Sequence, residues 1–310
     1  MEFAHRPVLL EETLGALAVR PEGVYIDGTA GGAGHSSEIA GRLTTGRLIA
    51  IDKDPDAVAA ATARLSPYPQ AIVVQEDFRN IRAVWEALSL PPVSGVLLDL
   101  GVSSHQLDCA ERGFSYHAAA PLDMRMSQQG MSAADVVNTY SAAELTRVLR
   151  DYGEEKFAPR IAKAIVARRE AEPFAATTDL AETIRSAIPA AARREGGHPA
   201  KRSFQALRIE VNGELDALAR ALDDAFSILA VGGRLAIITF QSLEDRMVKR
   251  AFADYATGCT CPPEFPVCVC GKTPRGRLVN RKPVTASEKE LAENRRSHSA
   301  KLRCIEKLRD

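Results

Sequence analysis

Apolar and polar positions along the first hundred residues follow a repeating order, a short apolar run and then a longer segment of mixed polarity. Val24–Ile26, Arg47–Ile51, Ala71–Val74 and Gly95–Leu98 are the short runs, and Ser37–Leu43, Pro55–Leu65 and Ile81–Leu88 lie between or beside them. Strand-length runs separated by helical segments predict a parallel sheet covered by helices, the α/β class. Past Asp99-Leu-Gly-Val-Ser-Ser104 the strand rhythm stops. Ser132–Asn138, Ala142–Asp151, Glu155–Glu170 and Thr178–Ile188 read as helices, with Phe157, Ile161 and Ile165, and Leu180, Ile184 and Ile188, at i, i+4 spacing. A long helix is predicted from Ser203, its apolar stripe formed by Leu215, Leu218, Leu222, Phe226 and Leu229. A turn at Val231-Gly-Gly233 then feeds the strand Leu235–Phe240, and Ser242 stands where it could cap a following helix with Asp245 at the third helical position. The pattern divides the chain into a discontinuous α/β domain, 1–108 with 209–310, and an inserted helical domain, 109–208. A Cys-rich loop, 258–271, interrupts the second α/β segment, and a basic strand and tail close the chain.

With 310 residues, 45% hydrophobic and 26% charged, the chain has a globular composition and room for about two domains, which excludes a disulfide-stapled miniprotein and a mainly disordered chain. The longest apolar runs, Val93–Leu98 and Leu235–Phe240, fall far short of the ~20 residues of a membrane span. Glu2, His5, Arg6, Glu11 and Glu12 do not make a signal peptide, so a cytoplasmic protein without a membrane partner is expected. Lys+Arg and Asp+Glu balance at 40 each, yet Lys272–Asp310 holds 12 basic against 5 acidic residues. A second basic cluster comprises Arg193, Arg194, His198, Lys201, Arg202 and Arg208. Each cluster alone reads as readily as a solvated face as a phosphate contact, and convergence of the two on one cleft would favour nucleic acid. Aromatic residues, at 5%, are too scarce for a recognition surface built chiefly from stacked rings.

Four of six cysteines crowd into Cys259-Thr-Cys261-Pro-Pro-Glu-Phe-Pro-Val-Cys268-Val-Cys270. In a reducing compartment such crowding reads first as metal ligation, a structural zinc held by Cys259, Cys261, Cys268 and Cys270, with reduced thiols in a surface loop or a redox role as the alternatives. Four thiolates leave no open position, so no catalytic metal is expected.

The first turn, Asp27-Gly-Thr-Ala-Gly-Gly-Ala-Gly34-His35, follows a strand and enters a helix, the place where a fixed backbone receives a nucleoside; Asp52 ends the next strand, near the spacing at which a carboxylate meets a ribose. The glycines do not spell the dinucleotide fingerprint and no Walker-type loop is present, which disfavours nicotinamide and ATPase chemistry. S-adenosyl-L-methionine fits better, being a nucleoside without phosphates: Asp52 could accept ribose hydroxyls and Phe78 could pack on adenine. Asp99 ends an apolar strand at the ligand edge, and Ser103, Ser104 and Gln106 follow as polar partners. For transfer to an exocyclic amine, Asp99, Ser103 and Ser104 are the candidates to hold the amine hydrogens and orient the nitrogen. His35 reads as a cofactor contact or a brace ahead of a base. Asp123 with Arg125, Lys201 with Arg202, Asn212, and Asp245 with Arg246 are substrate-side candidates, each with a structural alternative such as an ion pair, a cap or a backbone bond.

These strings together resemble the bacterial RsmH (MraW) family of ribosomal small-subunit RNA methyltransferases. The resemblance runs in order along nearly the whole chain through His5–Leu10, Tyr25–Thr29, Gly31–His35, Asp52–Pro55, Leu98–Ser104, Gln106–Asp108, Arg112–Ser115, Pro121–Met126, His198–Ala200, Phe204–Asn212, Gly232–Leu235, Ser242–Arg246 and Ser299–Arg303. It implies a Rossmann-like class I S-adenosylmethionine-dependent fold with a helical insert, and methylation of N4 of a decoding-centre cytidine. Family cofactor positions fall at Ala33, Gly34, His35, Asp52, Phe78, Asp99 and Gln106. The implied partner is 16S ribosomal RNA within the small subunit, and a homodimer is a further candidate assembly. The Cys-rich loop resembles an extension found in only some members. The chain departs from the family pattern at Ala119-Ala120, where Asp-Gly is usual, at Gln241, where His is usual, and at Asn294–Ser299, where His298 replaces an Arg. These leave target and rate open, with a non-catalytic RNA-binding or ribosome-assembly protein, or a methyltransferase for DNA or a small molecule, as alternatives.

Overall fold

Val24–Asp27 (β1), Arg47–Asp52 (β2), Ala71–Gln75 (β3) and Val93–Asp99 (β4) are the strands of the first hundred residues, in a computed structural model that describes residues 7–194, 197–262, 265–267 and 269–310. Leu229–Thr239 (β5), Gly276–Leu278 (β6) and Lys301–Lys307 (β7) complete one seven-stranded sheet of order β3-β2-β1-β4-β5-β7-β6. β1 to β5 are parallel, and β7 pairs antiparallel with β5 and β6. The strand order switches direction between β1 and β4, and ligands of such sheets gather outside the strand carboxyl ends at that point.

Period-two alternation buries both faces, as a parallel sheet requires. Ile26, Ile49, Ile51, Val96 and Leu98 join Leu218, Leu222 and Phe226 from the helix Glu214–Ser227 in one core. Tyr25, Leu48, Ala50 and Leu97 pack in the other with Leu14, Leu17 and Ile39. Each Ile, Leu, Val or Phe among them, fully buried, contributes about 1.5–3 kcal/mol.

The chain separates into two compact units, 1–101 with 215–310 and 102–214. The boundaries expected at 108/109 and 208/209 fall at 101/102 and 214/215, and Val102, Leu107 and Val211, all outside the expected insert, pack against the helical core. That core gathers Val136, Leu145, Leu149, Ile161, Ile165, Leu180 and Ile184 from the helices Ala133–Thr139, Ala142–Gly153, Ala158–Arg169 and Thr177–Ala187. Ser132 and Ser141 start two of these helices through reciprocal capping boxes with Asp135 and Glu144.

Three expectations need correction. The single long helix from Ser203 is two helices, Lys201–Asn212 and Glu214–Ser227, because Gly213 takes a left-handed conformation (φ 58) that ends the first. Leu229 is not part of the helical stripe but opens β5. The turn expected at Val231-Gly-Gly233 lies inside β5, where the register against β4 shifts between Val93 and Gly95 and Gly232 has φ 82; the two glycines absorb a bulge and the strand continues. Among the described residues no helix is long and apolar enough to cross a membrane.

Candidate functional site

Three neighbouring strands end in carboxylic acids: β1 in Asp27, β2 in Asp52 and β4 in Asp99. Asp27 is fully buried and shapes the loop that follows it, its carboxylate accepting from Ser36 Oγ at 2.6 Å and from the Thr29 N–H at 3.1 Å. The Gly28 N–H extends the sheet to the Leu97 carbonyl (2.9 Å), and a Cβ there would lie 2.5 Å from Leu98 Cδ2 and 3.2 Å from Phe78 Cβ. Gly28 is therefore the clearance between two apolar walls. Gly31, at φ 51, has open space on the side where a Cβ would sit, while a Cβ on Gly34 would collide with the Pro7 ring. Ala33 itself takes a left-handed conformation (φ 57) and starts the helix Gly34–Ala40.

Asp52 Oδ2 accepts from the Gly31 N–H at 2.8 Å and Oδ1 from the Asp54 N–H at 2.9 Å, which ties the glycine loop to the end of β2. Each oxygen keeps acceptor capacity for a ribose hydroxyl. Burial, partly opposed by those two bonds, pushes its pKa up to about 6. Phe78 opens a 3₁₀ turn capped by Asp77, whose carboxylate accepts from the Arg79 N–H at 3.0 Å and pairs with Lys53 Nζ at 3.5 Å. That turn sets the half-buried Phe78 beside Gly28.

Asp99 is a strongly perturbed carboxyl. Its backbone N–H donates to Thr29 Oγ1 at 2.6 Å, its Oδ2 lies 3.7 Å from His35 Nδ1, and its Oδ1 is buried with no hydrogen-bond partner. Burial first, then the negative fields of Asp27 and Glu244, push its pKa up to about 8. His35 gives no compensating charge: burial pushes it down to about 4 against the weaker pull of its Nε2 bond to the Val8 carbonyl (3.1 Å). The neutral ring braces the chain at Val8 and turns its unprotonated Nδ1 to Asp99, which suits neither a cationic partner nor an effective base near neutral pH.

Sequence reasoning missed Glu244. The helix Ser242–Ala256 is capped by Gln241, in place of Ser242 with Asp245: Gln241 and Glu244 form the capping box, with Gln241 Nε2 donating to Glu244 Oε1 at 2.8 Å. Glu244 Oε2 also accepts from the Phe240 N–H at 3.0 Å. The Gln-x-x-Glu spacing was the available signal. Asp245 is engaged away from that cap, with Arg303 at 2.7 Å and Lys301 at 3.3 Å, and Arg246 is exposed.

Of the remaining candidates, all but the cysteines belong to the helical unit. Ser103 caps the short helix Ser104–Asp108 in a reciprocal box with Gln106 (3.2 and 2.9 Å), and Ser104 is its first, half-buried residue. Asp123 and Arg125 form a multiply bonded pair, closest at 2.6 Å. Asn212 spends its amide on the backbone: Oδ1 accepts from the Met126 N–H, and Nδ2 donates to the Met124 carbonyl, both at 2.8 Å. Arg112, buried and read from sequence only as part of a motif string, donates to the Arg125 and Met126 carbonyls at 3.0 Å. Together they fix Met124, at φ 61, and the Pro121–Met126 string. Ala118, just before one departure from the family pattern, and Ala120, within it, bond to Thr177. In the second basic cluster, Arg193, Arg202 and Arg208 bond to Ile188, Glu154 and Glu214, whereas Lys201 is exposed. Cys259, Cys261 and Cys270 lie together, and Cys268 falls outside the described residues.

The carboxyl edge thus gathers Asp27, Asp52, Asp99 and Glu244 around a glycine loop and a phenyl ring. Such a field repels phosphates and favours a nucleoside that carries positive charge. S-adenosylmethionine, with a sulfonium and an ammonium, meets that requirement, and the partnerless Asp99 Oδ1 and the open space at Gly31 fit it. Fold and site together define a Rossmann-like class I S-adenosylmethionine-dependent methyltransferase. Its family follows from the chain as a whole: the MraW methylase family model matches residues 2–308, and the chain belongs to that family. It is 56% identical to the Ribosomal RNA small subunit methyltransferase H of Heliobacterium mobile, over 99% of this chain and 100% of the relative. It is 55% identical to the protein of the same name from Symbiobacterium thermophilum, over 99% of this chain and 98% of that one.

Proposed function

We propose that this chain methylates the exocyclic N4 of a decoding-centre cytidine in 16S ribosomal RNA, acting in the cytoplasm on the small ribosomal subunit. The observation that carries the reading is Asp99, a half-buried carboxyl at the end of β4 whose buried Oδ1 has no partner, set among three other acids. Membership of the MraW methylase family, and the name shared by relatives more than half identical, support ribosomal RNA as the target.

When bound, S-adenosylmethionine supplies the electrophilic methyl group. Asp52 would hold the ribose hydroxyls, Phe78 would pack on the adenine, and the loop Ala33-Gly34-His35 would carry the backbone past the cofactor. Asp99 would accept from an amine, either the cofactor's ammonium or the N4 group of the base. The lone pair of a cytosine amine is delocalised into its ring, so groups that accept the amine hydrogens and fix the nitrogen's orientation do the larger part of the work. Ser103 and Ser104 are the hydroxyl candidates for that task. The proton leaves once the nitrogen has gained positive charge, when a weak acceptor suffices. Arg125, Lys201, Arg202 and Arg246 would meet RNA phosphates, while Asn212, Asp123 and Asp245 would act by holding the segments that present them.

The test incubates the folded protein with labelled S-adenosylmethionine and unmethylated small subunits, naked 16S RNA or DNA, and maps the labelled base. Label at N4 of a cytidine in the 16S RNA is expected. Cofactor-bound protein that leaves no label there would overturn the proposal.

A further inference from the structure

The segment Thr257–Arg275, between the helix Ser242–Ala256 and β6, contains no helix or strand among its described residues. Loops this long without secondary structure are uncommon in compact domains and need a reason to stay ordered. Its C-terminal stem has one: Arg275 stacks over the Phe226 and Tyr255 rings at 5.7 and 5.1 Å, its N–H bonds the Tyr255 carbonyl at 2.8 Å, and Lys272 pairs with Asp254 at 2.8 Å. Among the described residues of the Cys-bearing part, the large apolar side chains lie exposed. Phe265, Val267 and Val269 are 49%, 71% and 73% exposed, so hydrophobic burial does not hold it.

Sulfur takes its place. The Sγ atoms of Cys259, Cys261 and Cys270 all lie within 4.8 Å of one another, and those of Cys259 and Cys270 are 3.7 Å apart. A disulfide requires about 2.05 Å. Two thiolates on one tetrahedral zinc, with Zn–S near 2.3 Å, stand about 3.8 Å apart. The backbone is arranged for anionic sulfur as well: the N–H groups of Thr260, Cys261 and Val269 point at Cys270, Cys259 and Cys261 at 3.4, 3.4 and 3.3 Å. Each of the three sulfurs therefore has a peptide donor, the outer-shell pattern that orients and stabilises metal-bound thiolates.

We infer that Cys259, Cys261 and Cys270 form a zinc-binding site that cross-links the loop between the helix Ser242–Ala256 and β6. Each thiol releases its proton to solvent on coordination, and the metal supplies the order that the loop's exposed apolar residues do not. Zinc fits better than a redox metal because the task is structural and all three donors are thiolates; the fourth tetrahedral position is left to water or a further donor. The site stands on the three described cysteines and is independent of the methyl-transfer reading.

The test uses the full chain, purified reduced and without chelators, with metal content measured by mass spectrometry. About one zinc per chain is expected. Cys259→Ser, Cys261→Ser and Cys270→Ser should each reduce zinc to background while leaving S-adenosylmethionine binding and the main unfolding transition in place, since the loop is exposed. Cobalt added to the metal-free chain should give the visible bands of a tetrahedral site and a thiolate charge-transfer band, and zinc should displace both. Zinc at background after loading the reduced chain, bound iron in its place, a Cys259–Cys270 disulfide in the reducing purification, or cobalt bands of octahedral type would overturn the inference.

Discussion

Replacing Asp99 by Asn should make the protein more stable and its cofactor binding worse. The folded carboxyl has a pKa of about 8 against an ordinary 3.8, so between those values the folded state keeps a proton that the unfolded chain has lost. Stability then falls as pH rises through that window and levels off above it. At about 1.4 kcal/mol per unit, the cost reaches about 4 kcal/mol at pH 7 if the environment is rigid and dry. The side chain is 24% exposed, and water relieves part of this, which leaves an expected gain of about 1–3 kcal/mol for the neutral amide. The assay is urea unfolding of the wild type and Asp99→Asn at intervals from pH 5 to pH 9. The stability difference should be small at the acid end, grow steadily to about pH 8 and then flatten. In parallel, titration calorimetry at pH 8 should show S-adenosylmethionine binding weakened about 10–100-fold, the loss of one charge-assisted hydrogen bond. A difference that ignores pH, or a variant less stable than wild type at pH 8, would refute the argument that a bare buried carboxyl is kept there for a cationic ligand.

The same carboxyl predicts that wild-type affinity for S-adenosylmethionine climbs as pH rises toward 8, because the proton must leave before the cation is met, and that the Asp99→Asn profile is flat; calorimetry in two buffers reads the proton release directly. Asn212→Ala removes the bonds to Met124 and Met126 and should cost about 2–3 kcal/mol in urea unfolding, with Asn212→Asp recovering little, since a carboxylate cannot donate to the Met124 carbonyl. Gly28→Ala places a methyl 2.5 Å from Leu98 and should destabilise by about 1–3 kcal/mol, with cofactor affinity reduced further than Gly31→Ala reduces it through its left-handed backbone alone. His35→Ala should lower stability through the lost Val8 bond without removing an ionisation between pH 5 and 8 from the methyl-transfer rate, since the native ring is neutral across that range.

Local rules carried the sheet and the cofactor edge. Strands with alternating large apolar residues between helical segments can form little else than a doubly wound sheet, and acids at strand carboxyl ends are placed by that topology. Asp52 and Asp99 were therefore legible as site acids, because strand periodicity alone brings their ends to one edge, whereas Asp27 was read only as the start of the glycine turn. What stayed hidden depended on partners far away in sequence. Nothing near Asn212 announces that its amide will bridge Met124 and Met126, and nothing near Asp245 announces Lys301 and Arg303. A pattern reader sees a polar residue on a helix and offers it to the substrate; the folded chain had already given it a backbone to hold. The bulge at Gly232 and the helix break at Gly213 were hidden differently, since a glycine permits a left-handed conformation without demanding it, and only pairing against β4 or packing of the next helix decides its use. Gln241 shows how a departure from a family pattern can be absorbed. Where His is usual, this chain has an amide that caps the helix with Glu244, and Glu244 is one of the two charges that raise the Asp99 pKa. A substitution at the cap is thereby coupled to the protonation of a site carboxyl through one buried Glu. Gln241→His should consequently move the pH at which cofactor affinity levels off, downward if the imidazole is protonated, whereas a cap with no electrical link to Asp99 would leave that pH where it is.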